Sequence, residues 1–528
     1  MTDRPQAWVG AWSAKRAALS PDRVGLVDAA TGAEYTYAEL DRRANRCARL
    51  LADRGVSLDG GESGEKTDSA GGRVAVVSRN RPEYADLFFA TAKTGGVLAP
   101  LSHRLAPPEL AELLDAVDPR LLVVEEPFAD LVDEATEAND WAGDCPILSL
   151  PVDGGSTWDS YQSALPENDG EFDGPTVAPG DSHLFLHTGG STGTPKETVI
   201  SHEAVVWNSV NTITAWGLRD DDVTPMVFPM FHTGGWNVLT VPMFHMGGQI
   251  VIDREFGPGQ ILGVVEDRSA SVLVAVPAVL RAMVEHDRWG ETDLSSIRFV
   301  KSGGGPCRQS VMEAWWDRGV DLSQGYGLTE CGPNNFAMPD GWPREKAHTV
   351  GVANVHVDAR VVGDDGREVP PGEIGELELR SPHAADGYWR APEETAETFG
   401  GWVSTGDLAR VDEAGYVSIE GRKKNLFVSG GENVYPAEVE AAVADHPAVA
   451  DVVVVPVPDD QWGRVGKAVV ELVPEADASD LALPDLREFL DGTLARFKHP
   501  RELAFVDELP TSGPSKIDRD AVEAAFGE

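Results

Sequence analysis

The sequence predicts an α/β protein, with a large first domain of layered sheets and helices and a small α+β domain at its end. Three observations support this. Short continuous apolar runs alternate with stretches of helical period, the pattern of buried parallel strands joined by crossover helices. At 528 residues the chain is too long for one hydrophobic core, so two or three domains are expected. Beyond residue 422 the pattern changes to a charged, glycine-punctuated stretch and then a self-contained set of helices and strands.

Between Tyr37 and Arg54, residues Leu40, Ala44, Ala48 and Leu51 recur on one face, predicting a helix. Strands are predicted at 73–78, 121–126, 183–188, 271–277 and 297–305, each too short for a helix of useful length. Ser57 to Gly72 and Pro151 to Asp181 are rich in Gly and acidic residues and read as surface loops. After GRKKNLFVSGGEN at 421–433 come a helix (PAEVEAAVADH), two strands (VADVVVVPVP and GKAVVELVP), a helix over 483–498 and an irregular tail. The domains are therefore placed at 1–422 and 423–528, the second of about 100 residues. No internal repeat is visible.

Composition narrows the function classes. Asp and Glu total 87 against 44 Lys and Arg, a formal net charge of −43. Such a surface repels nucleic acid and anionic membranes, so neither is expected as a partner. No run of about 18 apolar residues could span a bilayer, and the N-terminus lacks a signal-peptide core; a cytoplasmic location is expected. The four cysteines (Cys47, Cys145, Cys307, Cys331) are scattered, with no CxxC pair, and suggest neither a disulfide framework nor a zinc site. A homodimer is compatible with the sequence, which sets no oligomeric state. The acidic residues are spread along the whole chain, the pattern of adaptation to a salt-rich (halophilic) cytoplasm in which counter-ions screen self-repulsion.

The strongest local signal is the segment from His187 to Glu197. A predicted strand leads into Thr188, Gly189, Gly190, Ser191, Thr192, Gly193, Thr194, Pro195, Lys196 and Glu197. Glycines let backbone N–H groups approach an anion, hydroxyls add donors, and Lys196 adds positive charge. The spacing is not that of a Walker A loop. Alone, such a segment is more often a plain turn than a phosphate site.

Further segments occur in a recognisable order: FPMFHTGG at 228–235, SGGGP at 302–306, QGYGLTE at 324–330, STGDLAR at 404–410, GRKKN at 421–425 and LPTSGPSKIDR at 509–519. Together with the glycine loop they resemble the acyl-adenylate-forming superfamily of acyl-CoA synthetases, peptide-synthetase adenylation domains and luciferase-like enzymes, over nearly the whole chain. The resemblance implies a large adenylate-forming domain and a small mobile domain, with ATP, Mg²⁺ and CoA as cofactor and co-substrates and a small-molecule carboxylic acid as substrate. It implies that Thr188 to Gly193 and Lys196 hold phosphates, that Gly304, Gly305 and Pro306 flank adenine and that Tyr326 stacks on it. By the same resemblance Thr329 contacts the α-phosphate, Glu330 holds Mg²⁺, Asp407 and Arg422 reach the ribose, and Lys516 is the catalytic lysine. His232 would sit beside the acyl carboxylate; Phe231, Trp236, Asn237 and Gly303 would line the acyl pocket. Lys424 would be the hinge, and Gly430 and Gly431 would leave room for the pantetheine arm of CoA. The family has glycine where Glu197 stands, so Glu197 either turns outward or pairs with Lys196.

The small residues at 303–305 favour a medium- to long-chain fatty acid. An aryl acid of benzoate, cinnamate or succinylbenzoate type is the alternative, and a nucleotide-binding module without turnover is a third reading. The charge pattern makes its own prediction. Raising KCl from about 0.1 M to about 2 M should raise the thermal unfolding midpoint; a midpoint indifferent to salt would refute the high-salt reading.

Overall fold

The computed structural model describes residues 8–58, 70–137, 145–151, 158–188, 196–429, 432–459, 461–491, 493–511 and 517–527. Strands Arg73–Val77, Val97–Leu101 and Leu121–Glu125 are buried at every position, as near-continuous apolar runs require when both faces of a sheet are covered. Their alternation separates two cores: Val74 and Val76 pack on one side of the sheet, Ala75 and Val77 on the other. These strands belong to an eight-stranded sheet that runs, in spatial order, Gly387–Tyr388, Lys196–Ser201, Ser182–Thr188, Val97–Leu101, Arg73–Val77, Leu121–Glu125, Ile147–Leu150 and Asp159–Ser160. Pairing is parallel from Ser182–Thr188 to Asp159–Ser160 and antiparallel at the other edge.

The predicted helix is present as Tyr37–Asp53, closed at its start by a reciprocal capping box between Thr36 and Glu39. Arg43 on its flank holds the fully buried Asp86 of helix Glu83–Thr94 through two hydrogen bonds of 2.8 and 2.7 Å. Two further sheets complete the α/β layers. One orders Val223–Met226, Gln249–Ile252, Val24–Asp28 and Ala33–Thr36; the other, all parallel, orders Val272–Ala275, Phe299–Ser302 and Leu322–Gln324. An antiparallel sheet of Asp358–Val362, Ile374–Arg380, Val403–Val411 and Val417–Arg422 follows.

From Phe427 onward the chain builds a sheet and core of its own. Strands Glu432–Val434, Phe427–Ser429, Gly463–Leu472 and Val449–Asp459 lie in that order, with Glu502–Val506 joined parallel to Gly463–Leu472. Phe427, Val439, Val454, Ala468 and Leu486 are among the residues that fill one face.

Three expectations change. The helix predicted over 483–498 ends at Leu490; Asp491 leaves helical geometry (φ −59°, ψ 127°) and its carboxylate takes Arg496, consistent with the Asp-Gly turn signal in the sequence. The tail expected to be irregular carries strand Glu502–Val506 and helix Arg519–Phe526. Part of the expected surface segment 151–181 is core: Tyr161 is fully buried beside Cys47, and Val177 is 2% exposed. The other expected loop is tightly built where it is described. A Cβ on Gly71 would meet the Gly95 carbonyl at 2.1 Å, and one on Gly72 the Gly55 carbonyl at 2.0 Å. All four cysteines are free thiols. Among the described residues no helix is long and apolar enough to cross a membrane.

Candidate active site

Two of the predicted site loops emerge where parallel strands end, the position at which open α/β sheets present ligand loops. Strand Phe299–Ser302 runs into Gly303, Gly304, Gly305 and Pro306; its neighbour Leu322–Gln324 runs into Gly325 and Tyr326. The two loops are tied together. Gly325 N–H donates to the Ser302 carbonyl at 2.8 Å, and Cys307 N–H donates to Gln324 Oε1 at 2.9 Å. Gly304 holds φ +88°, and a Cβ on Gly303 or Gly305 would meet no atom within 4 Å. The glycine run therefore presents bare backbone to solvent on its outer side.

Three of the sequence-predicted residues form one cluster. The Tyr326 hydroxyl donates to Asp407 Oδ2 at 2.5 Å, and Arg422 Nε lies 2.9 Å from Asp407 Oδ1. Asp407 and Arg422 are direct cross-strand partners, so the pairing of Val403–Val411 with Val417–Arg422 fixes this ion pair. Asp407 is 5% exposed while half of the Arg422 side chain remains in solvent. Burial first, and then the Asp407 charge, push the Tyr326 phenol well above its ordinary value, so it remains a donor.

A second cluster gathers around Glu330, in the 3₁₀ turn Thr329–Cys331. The Tyr388 hydroxyl donates to Glu330 Oε1 at 2.8 Å. Burial and the Glu330 charge raise the Tyr388 phenol, which keeps it protonated. Lys196 Nζ lies 5.5 Å from the centre of the same tyrosine ring and 3.5 Å from Glu394 Oε1. Lys196 is the cross-strand partner of Thr188, so both ends of the glycine loop are anchored in one antiparallel pair. No group of three or more His, Cys, Asp or Glu residues capable of holding a metal occurs among the described residues. Magnesium bound chiefly by phosphate oxygens and water needs only one or two carboxylates from the protein, and Glu330 fits that demand.

Glu197 takes neither of the two courses expected from the sequence. Its carboxylate is buried, at 2% exposed, and neither oxygen has a hydrogen-bond partner among the described residues; Lys196 turns to Glu394 instead. The physical reason is strand alternation. Glu197 shares its sheet face with Val199, which packs in the core with Phe185 and Trp389, whereas Lys196 falls on the other face. Burial alone lifts the Glu197 carboxyl to about 8. Opposite it on the paired strand stands His187, half-buried, which desolvation lowers to about 4.

The FPMFHTGG segment wraps the other side. His232 packs against Phe231 (ring centres 4.5 Å) and His187 (5.8 Å). A π-helical turn follows at Gly234–Val238, a distortion frequent at functional sites. Within it Trp236 is fully buried, stacked on Phe88 at 5.0 Å, with its indole N–H donating to the Met230 carbonyl at 2.6 Å. Its indole supports the segment from the core side. Asn237 joins a buried amide cluster. Asn208 Nδ2 donates to the Asn237 carbonyl at 2.6 Å; Asn211 Nδ2 and Asn354 Nδ2 donate to the Asn334 carbonyl at 2.7 and 3.0 Å. Because each NH₂ meets a carbonyl, the orientation of these three amides is set. The Oδ1 atoms of Asn208, Asn211, Asn237 and Asn354 have no partner among the described residues.

Lys424 is half exposed, 3.7 Å from Asp520. Gly189, Gly190, Ser191, Thr192, Gly193, Gly430, Gly431 and Lys516 lie outside the described residues. Sequence reasoning missed Tyr388, Glu394 and the asparagines at 208, 211 and 354, whose segments carry no motif of their own. The only signal was polarity at core-facing positions of helix His202–Trp216.

The fold, with its Tyr326–Asp407–Arg422 cluster and with Lys196 and Glu330 both against Tyr388, is that of a nucleotide-dependent acid-activating enzyme. Residues 13–389 match the AMP-binding enzyme family and residues 438–516 its C-terminal domain. The chain is 35% identical to a feruloyl-CoA synthase from Amycolatopsis sp over 520 residues, covering 98% of this chain and 99% of that protein. It is 31% identical to the long-chain-fatty-acid–CoA ligase FadD13 of Mycobacterium tuberculosis, covering 95% of each. ATP-bound MatB from Rhodopseudomonas palustris superposes with a TM-score of 0.87 at 30% identity over 99% of both chains; the apo form of the same protein gives 0.78. The chain belongs to the AMP-binding enzyme family and is an AMP-forming acid–thiol ligase.

Two predictions follow from the geometry. A glutamate whose folded value is raised binds its proton more tightly in the folded state, so its contribution is fully present below the unfolded value and lost as pH rises through about 8. Relative to Glu197→Gln, the wild-type protein should therefore lose stability between about pH 5 and pH 8 in denaturant unfolding; parallel pH profiles would refute this. Tyr388→Phe removes the donor that orients Glu330 and should lower ATP-dependent turnover about ten-fold while raising the magnesium concentration needed. An unchanged magnesium dependence would show that the phenol does not position Glu330.

Proposed function

We propose that this enzyme joins an aromatic carboxylic acid to CoA in two steps. The acid's carboxylate attacks the α-phosphorus of ATP, breaking the bond to the bridging oxygen and releasing pyrophosphate. The thiolate of CoA then attacks the acyl carbonyl and AMP leaves. The first step is catalysed mainly by positioning and charge neutralisation. In this reading residues 1–422 form the adenylation domain and 423–528 a mobile domain turning about Lys424. Thr188 to Gly193 and Lys196 cradle the phosphates, with Thr329 at the α-phosphate and Lys516 completing the site. Asp407 and Arg422 take the ribose, and Tyr326, Gly304, Gly305 and Pro306 take the adenine. Glu330 holds magnesium, which when bound offsets phosphate charge. His232, Phe231, Asn237 and Gly303 surround the acid, and Gly430 and Gly431 admit the thiol arm.

The observation behind an aromatic acid is the polar shell behind the His232 segment. Four buried amide oxygens there have no donor among the described residues. An alkyl tail leaves them unpaired, which costs free energy; a ring bearing a hydroxyl or N–H can pair with them. The likeness to a feruloyl-CoA synthase supports the same class. A medium- or long-chain fatty acid is the second reading, supported by the open space beside Gly303 and Gly305 and by the likeness to FadD13. The reading as a module without turnover loses its motive, because Glu197 does not engage Lys196.

Pyrophosphate release should be measured across hydroxycinnamic, unsubstituted cinnamic, indole-containing and C8–C16 alkanoic acids, with and without CoA. Ring-hydroxylated acids are expected to exceed the unsubstituted ones by about ten-fold in kcat/KM, the worth of one buried hydrogen bond. Preference for alkanoic acids would establish the second reading, and turnover indifferent to CoA would exclude the thioester step.

A further inference from the structure

Two arginines of the large domain reach the backbone of the small one. Arg281, on helix Pro277–Glu285, donates through Nη1 to the Ala450 carbonyl at 2.8 Å. Arg308, which follows the glycine run at 303–305, donates through Nη2 to the same carbonyl at 2.5 Å and through Nη1 to the Val449 carbonyl at 3.3 Å.

The acceptor is available for a structural reason. Strand Val449–Asp459 pairs with Gly463–Leu472, but its register slips between Val449 and Asp451. Val449 faces Leu472 and Asp451 faces Glu471, leaving Ala450 as the extra residue of a bulge. A bulge residue is released from the ladder and its peptide is re-aimed. Here the freed carbonyl meets two guanidinium groups, each a planar fork of donors suited to converging on one oxygen. The charges around this contact are Glu285, 3.9 Å from Arg281, with Asp445 and Asp451 near Arg308. Burial outweighs these acids and lowers Arg308 from its usual value. Arg308 is thus held by geometry in a partly dry contact.

The contact reports on domain arrangement. This chain superposes better on ATP-bound MatB than on apo MatB, at equal identity and coverage. We propose that Arg281 and Arg308 form a latch on the Val449–Ala450 bulge that holds the small domain in the arrangement serving adenylation, and that its release accompanies the thioester step. Both are positioning residues: their hydrogen bonds run to the small domain's backbone, and Arg308 connects the run at 303–305 to that domain. The inference rests on the two-step reading proposed above.

The test separates the half-reactions. In Arg281→Ala/Arg308→Ala, acid-dependent pyrophosphate exchange is expected to fall about ten-fold, the scale on which misplaced catalytic groups lower rate. Thioester formation from a supplied acyl-adenylate and CoA should stay unchanged or rise. Arg308→Lys, which keeps the charge but replaces the fork by a single donor nitrogen, should fall between the wild-type protein and the double variant. Equal loss in both half-reactions, or no loss in either, overturns the latch. Amide hydrogen exchange gives a readout independent of turnover: exchange over 445–451 and 303–309 should accelerate in the double variant, with Val452–Val455 still protected. Unchanged exchange at both segments overturns the latch even if the wild-type enzyme accepts none of the acids tried, an outcome that would bear on the proposed reaction alone.

Discussion

The strand Lys196–Ser201 is hydrogen-bonded on both sides, to Ser182–Thr188 and to Gly387–Tyr388, at the antiparallel edge of a largely parallel sheet. That double pairing sets most of the site. It pairs Lys196 with Thr188, and its alternation sends Lys196 to one face and Glu197 into the core. On its far side it seats Tyr388 between Lys196 and Glu330. A one-residue slip would exchange the two faces, leaving a buried lysine where Val199's neighbours now pack. The apolar partners of Val199, notably Phe185 and Trp389, therefore enforce the register on which the chemistry depends.

The carboxylates of the site meet three different environments, and their neighbours decide what each can do. Asp407 is nearly buried but satisfied by a phenol and a guanidinium, so it stays a fixed acceptor. Glu330 receives one phenol, on a single oxygen. Glu197 is buried without a donor among the described residues, and desolvation alone favours its neutral form. Two tyrosines serve as the donors, each kept protonated by burial and by the carboxylate it serves. The same principle governs the amide cluster behind His232, where NH₂ groups are matched to carbonyls and four Oδ1 atoms are left without a partner among the described residues.

The parts legible in the sequence were those set by local pattern. Continuous apolar runs at 73–78 and 121–126 became strands because no other element buries both faces of so short a run. The helix from Tyr37 was announced by its period alone; the capping box at its start came with the structure. Glycines at 303–305 and the Tyr326–Glu330 segment could be placed by motif alone. What failed depended on distant partners. Strand Glu502–Val506 is made by its parallel neighbour Gly463–Leu472, and Tyr161 becomes core because the Tyr37–Asp53 helix offers it a place. The burial of Trp236 against Phe88 and Tyr84 likewise depends on residues far along the chain.

By itself the sequence determined which loops carry glycine, hydroxyl, carboxylate and lysine, in what order, and therefore the class of chemistry. Those properties are local: a turn, a strand or a motif is specified by neighbouring side chains. Only the tertiary structure decided the fate of Glu197, the role of Tyr388 and the contact of Arg281 and Arg308 with the Ala450 bulge. Each of these depends on which remote group arrives at hydrogen-bond distance or shuts out water, and dehydration is a property of the packed interior that no short stretch of chain contains.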